Sequence, residues 1–121
     1  GMHITIQIDN IRNKKKQYLI EINALEEQVL YAQNALSLNI KSLDCEIKTY
    51  KNMCDSYKKS NITYEKLIEM REKVHKSKSE VVKLKIKYSN INIKLLKEKG
   101  IFNKIFTSLY YWFAFMIFIK I

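Results

Sequence analysis

Between Met2 and Lys99 the chain contains neither proline nor glycine; its only glycines are Gly1 and Gly100, and proline is absent throughout. Compact folds turn several times, and tight turns draw on residues that preset φ or accept φ > 0. A chain so poor in both must have few turns and long elements. Only helices run unbroken for dozens of residues, so the first expectation is an all-α chain with one principal turn. Gly1 stands before Met2 and reads as a cloning remnant with no part in the fold.

The apolar pattern agrees. Ile4, Ile8 and Ile11, then Tyr18, Ile22, Leu25, Val29, Ala32 and Leu36, recur at alternating steps of four and three, with Lys15 as the interruption. From Leu36 to Ile40 a four follows a four, a stutter that locally relaxes a supercoil. The seam then continues through Leu43, Ile47, Tyr50, Cys54 and Tyr57. That is about seven to eight heptads, against the three or four that distinguish a coiled coil. Ile4, Ile6 and Ile8 also alternate as a short strand would, although the heptad phase runs straight through them.

After Lys58 and Lys59 the polar run Ser60, Asn61, Ile62, Thr63 supplies the one plausible turn, over about residues 59–63. Thr63 suits an N-cap, because its hydroxyl can accept from the free N–H groups of a new first turn, and Glu65 favours the positive end of the helix dipole. A second seam follows in Tyr64, Leu67, Arg71 and Val74, is disturbed at Ser77 and Lys78, and resumes through Val81, Leu84, Tyr88, Ile91 and Leu95. Folding the chain about Asn61 places Lys78 opposite Asp44 as a charged layer. At ~1.5 Å per residue the first helix would be about 80 Å long, and neither apolar stripe is stable in water alone. The expected fold is therefore a long antiparallel two-helix coiled-coil hairpin over residues 2–106 with a hydrophobic helical extension over 107–121. The competing arrangement is an intermolecular coiled coil of uninterrupted helices.

Chemistry of its own is not expected. Cys45 and Cys54 have neither CxxC nor zinc-knuckle spacing, and His3 and His75 stand alone where a metal needs three or four converging ligands. No phosphate loop of the GxxxxGK[ST] type occurs. The chain is thus read as a non-enzyme without metal or cofactor. With no signal peptide ahead of the first helix, its main body is expected in a reducing cytosol. The net charge is +10, yet only Arg12 and Arg71 among 22 basic residues are arginine, and lysines interleave with Asp and Glu. Nucleic-acid readers use the forked guanidinium on phosphates and bases, so no nucleic-acid partner is expected; an acidic protein or anionic lipid suits the charge better.

Two apolar groups fall outside the seams. Met53, Ile62, Ile68 and Met70 lie near the turn, where some of them should be exposed as a contact site. Past Gly100, which should break the second helix or admit another surface, the composition turns aromatic: Ile105, Phe106, Leu109, Tyr110, Trp112 and their neighbours. The uncharged window between Lys104 and Lys120 has 15 residues. That is about 22 Å of helix, against the ~30 Å of a hydrocarbon core, so it is a marginal membrane span. Membrane contact through this tail and burial inside another protein are both open.

The run SNITYEKLIEMREKVHKSKSEVVKLKIKY, Ser60 to Tyr88, and the patch LLKEKGIFNKIF, Leu95 to Phe106, resemble the stalk proteins of type III secretion systems, the FliJ/YscO/InvI family, in its virulence-type members. The resemblance covers about residues 2–106; the aromatic tail departs from the family, whose last helix generally stays charged. It implies a rod in the pore of a hexameric export ATPase, at the cytoplasmic face of the inner membrane, linking that ATPase to the cytoplasmic ring of the export gate. Secretion chaperones are a further implied partner. In this arrangement the turn, with Met53, Ile62, Ile68 and Met70, would meet the gate. The paired ends, with Ile4, Ile8, Ile105, Phe106, Leu109, Tyr110 and Trp112, would meet the ATPase. The alternative function is a tail-anchored coiled-coil membrane tether.

Overall fold

The computed structural model describes residues 1–120. Two helices account for nearly all of them: α1, Met2–Lys58, and α2, Tyr64–Lys120. They pair antiparallel as an all-α hairpin, and among the described residues there is no strand. Ile4 to Ile8 are helical, so the heptad phase prevails over the two-residue alternation there. By their contacts the residues fall into two units. Val29–Asn90 form a turn unit, and Gly1–Gln28 with Ile91–Ile121 form an end unit.

In the turn unit the chain reverses through five residues, each with a local reason. Ser60 adopts φ 60°, the left-handed conformation that ends many helices. The Asn61 N–H donates to the Ser56 carbonyl at 2.9 Å and the Ser60 N–H to the Tyr57 carbonyl at 2.9 Å. This is a Schellman closure, which satisfies carbonyls that α1 would otherwise leave orphaned. Thr63 then caps α2 as expected: the Lys66 N–H donates to its Oγ1 at 3.3 Å, and Glu65 sits in the first turn. Ile62 and Leu67 occupy the positions of a hydrophobic staple, the first half-buried and the second buried.

Ala32, Leu67, Val74 and Val81 are the buried side chains of this unit. Around the stutter the α1 seam widens, with Ala35, Leu36, Asn39 and Ile40 all half-buried, as a locally unwound supercoil requires. Asn39 meets the cost of partial burial by donating from Nδ2 to the Ala35 carbonyl at 2.8 Å. Tyr57 and Tyr64, expected on the seam at either side of the turn, are both exposed, and the α2 seam differs from expectation at two further layers. Met70 is half-buried while Arg71 is exposed, and Ser77 is half-buried while Lys78 is exposed. Each time the less polar neighbour turns inward and the charge stays in water. The charged layer of Asp44 and Lys78 does not form: both are exposed, and the ion pair found among the described residues is Glu26–Lys99.

In the end unit Ile22, Leu25 and Leu95 are buried. Gly100 neither breaks α2 nor admits another surface; it is helical, and a Cβ built on it would meet nothing within 4 Å. The helix continues because the seven-residue repeat does. Leu95, Phe102, Leu109 and Met116 keep strict spacing, and Phe106 and Phe113 fill the intervening layers, all half-buried except the buried Leu95. Phe106 meets Tyr18 of α1 edge-on at 5.8 Å and Phe102 at 4.8 Å, fixing the register of this unit. Lys99 Nζ reaches Glu26 Oε1 at 2.9 Å in the same register.

Candidate functional surfaces

The turn surface is less open than the sequence implies. Met53, Ile62, Ile68 and Met70 are all half-buried, and none is exposed. Met70 takes the seam position in place of Arg71, and Met53 is drawn in beside Cys54. Met53 and Met70 still line one side of a shallow hollow of about 290 Å³ with Lys66, Glu69 and Lys73. A flexible thioether under a charged rim can repack against a partner. A second hollow, of about 200 Å³, lies over Ile47, Tyr50 and Val74 and is rimmed by Lys51, Arg71, His75 and Lys78. Here the Tyr50 phenol is held above its ordinary value, chiefly by a hydrogen bond with the Cys54 thiol and next by partial desolvation, with the nearby Arg71 pulling the other way. Both cysteines are free thiols, Cys45 exposed and Cys54 half-buried.

At the end unit the seven residues expected to form one contact face divide between two. Ile8, Phe106 and Leu109 are half-buried on the seam and hold the helices together. Ile105, Tyr110 and Trp112 point outward, Tyr110 being 73% exposed, and Ile4 is at the margin with 41%. Ile4 and Gln7 share a hollow of about 160 Å³ with Trp112, Phe113, Met116 and Ile117. Phe115, Phe118 and Ile119 also lie outward, and Phe118 is 80% exposed. Inspection of composition misses these three because it treats the tail as one apolar block. Extending the repeat from Leu95 separates the inward positions from the outward ones.

Among the described residues no three His, Cys, Asp or Glu side chains converge as metal ligands would. The two units present a capped turn in one and exposed apolar side chains from Tyr110 to Ile119 in the other. Compared with protein-family models, curated proteins and solved structures, the chain matches none.

Proposed function

We propose that this chain is the central stalk of a type III secretion export ATPase complex, linking the ATPase hexamer to the ring of the export gate at the cytoplasmic face of the inner membrane. The observation that carries the reading is the closure at Ser60 to Thr63, which makes a single chain into two paired helices of 57 residues each. The resemblance of Ser60 to Tyr88 and of Leu95 to Phe106 to that stalk family supplies the rest. A stalk needs stiffness and two contact ends, and it leaves nucleotide chemistry to its partner. Side-by-side pull-down of the hexameric ATPase by the full chain and by a chain lacking Thr107 to Ile121 tests it. The full chain should retain the ATPase and the shortened chain should retain it poorly; equal failure of both chains would remove the stalk reading.

A tail-anchored tether is the second reading. An 18-residue stretch of α2 reaches mean hydropathy 1.3 with none of it buried, which is enough by length and composition to cross a membrane. Retention of the full chain in membranes after a high-salt wash, with release by the same deletion, would favour the tether.

A further inference from the structure

The outward face of α2 in the end unit changes character along its length while keeping one direction. Lys97, Lys104, Tyr111 and Phe118 recur at seven-residue spacing, and so do Lys94, Ile101, Ser108 and Phe115. All eight are exposed. The face is therefore basic over its first part and aromatic over its second, and no acidic residue follows Glu98. Lys94, Lys97 and Lys104 take no part in the ion pair, which uses Lys99.

We propose that the end unit docks flat on an anionic lipid bilayer through this face, dipping its aromatic part below the headgroups without crossing the membrane. The charge sequence matches such a surface. Anionic headgroups attract the lysines, and Tyr and Trp prefer the headgroup level, where an apolar ring with a polar edge is satisfied on both sides. An amphipathic helix in this position sinks about 5–10 Å and no deeper.

Crossing is disfavoured by what α1 brings along. Tyr18 meets Phe106, and Ile4 and Gln7 share a hollow with Trp112, Phe113, Met116 and Ile117. Between those two fixed points come Asp9, Arg12, Lys14, Lys15 and Lys16, which accompany the tail residue for residue. A perpendicular insertion of the pair would carry these charges into hydrocarbon, where each is strongly disfavoured. Lying flat keeps α1 on the water side of α2. The inference does not rest on the stalk reading. The bilayer and an ATPase sleeve would compete for the same face, so each is expected to exclude the other.

Trp112 is the only tryptophan and is half exposed, so the full-length chain carries its own reporter. The experiment titrates it with phosphatidylcholine vesicles with and without phosphatidylglycerol, and adds lipids brominated at defined depths. Emission should shift to the blue on the anionic vesicles, with quenching strongest from shallow bromines. Replacing Lys94, Lys97 and Lys104 together by Gln should lower partitioning by roughly 100-fold, about five-fold per lysine. Phe115→Ser with Phe118→Ser should lower it by a similar factor, about ten-fold per ring. All five positions are exposed, so helicity by circular dichroism should not change. Several results would overturn the proposal: no shift on anionic vesicles, equal partitioning into neutral ones, or a concentration-dependent shift without lipid that marks a second copy as the occupant. Quenching strongest from mid-bilayer bromines would also overturn it, in favour of the spanning tether.

Discussion

The turn unit and the end unit are built from the same two helices and nearly equal numbers of residues, but they dispose of apolar surface differently. Among the described residues, sixteen of the exposed large apolar side chains belong to the end unit and seven to the turn unit. Those in the turn unit, such as Tyr31, Leu38 and Val82, are scattered among polar neighbours, as is normal on protein surfaces. Seven of the sixteen in the end unit crowd into the single stretch from Tyr110 to Ile119. A coiled-coil pair needs one apolar stripe per helix. The turn unit stays close to that requirement, whereas the end unit carries a second apolar face that pairing leaves uncovered. The same amino-acid chemistry thus serves stability in one unit and contact in the other.

The sharpest way to break this contrast is to place one charge in each unit. Val74 is 6% exposed in the turn unit and Phe115 is 61% exposed in the end unit. Val74→Asp should cost roughly 3 kcal/mol or more, because a carboxylate loses its hydration with no partner to replace it. Phe115→Asp should stay within about 0.5 kcal/mol, as surface substitutions do. Urea denaturation followed at 222 nm reads both; similar midpoints for the two variants would show that the seam does not hold the turn unit together.

A smaller effect tests whether the aromatic seam of the end unit holds it together or merely decorates it. Phe106→Ala removes the ring that meets both Tyr18 and Phe102. A loss of about 2 kcal/mol is expected, less than for a fully buried ring because the site is half open to solvent. In a double-mutant cycle with Tyr18→Ala, about 0.5–1.5 kcal/mol should be coupling between the edge-on rings. Coupling near zero would mean that the two helices are not held in register at this layer.

The fold is legible in the sequence because its signals are redundant. Heptads before and after Ser60 to Thr63, the dearth of glycine and proline, and the capping hydroxyl of Thr63 all point to a hairpin. What periodicity leaves ambiguous are positions with two adjacent candidates for one layer. Arg71 has the right spacing, but Met70 costs less to bury, and Ser77 displaces Lys78 for the same reason. Gly100 misleads because a helix-breaking tendency of ~1 kcal/mol is small beside a repeat that continues on both sides of it. The candidate surfaces are half legible. Composition finds the aromatic segment, but sorting Phe106 and Leu109 from Tyr110 and Trp112 requires carrying the helical phase past Leu95.

Ser60 gives a further, gentler test of the turn unit. A β-carbon in the left-handed region crowds the following carbonyl, at a cost of roughly 1–2 kcal/mol that glycine avoids. Ser60→Gly should therefore raise stability by about 1 kcal/mol, the remainder being offset by the greater freedom of glycine in the unfolded chain. The gain should appear as a later urea midpoint with an unchanged slope. A loss of stability would show that the serine side chain contributes something the closure needs.

The least effect expected is confined to alkaline solution, and it separates the units by chemistry rather than by packing. Tyr50 of the turn unit has its phenol raised above 10.0, first by the hydrogen bond with Cys54. In the interval between 10.0 and the folded value, the folded chain holds a proton that the unfolded chain has released. Stability must then fall as pH rises through that interval. Below it both states are protonated at this site, so the contribution is fully present and constant. Tyr50→Phe should remove this part of the alkaline loss, and Cys54→Ala should remove most of it, since the thiol is the leading cause. Urea midpoints collected from pH 8 to pH 11 for the three chains provide the comparison. If the parent and Tyr50→Phe curves fall together, the phenol and thiol are not bonded in the folded chain, and the hollow beside Arg71 is more open to water than its geometry indicates.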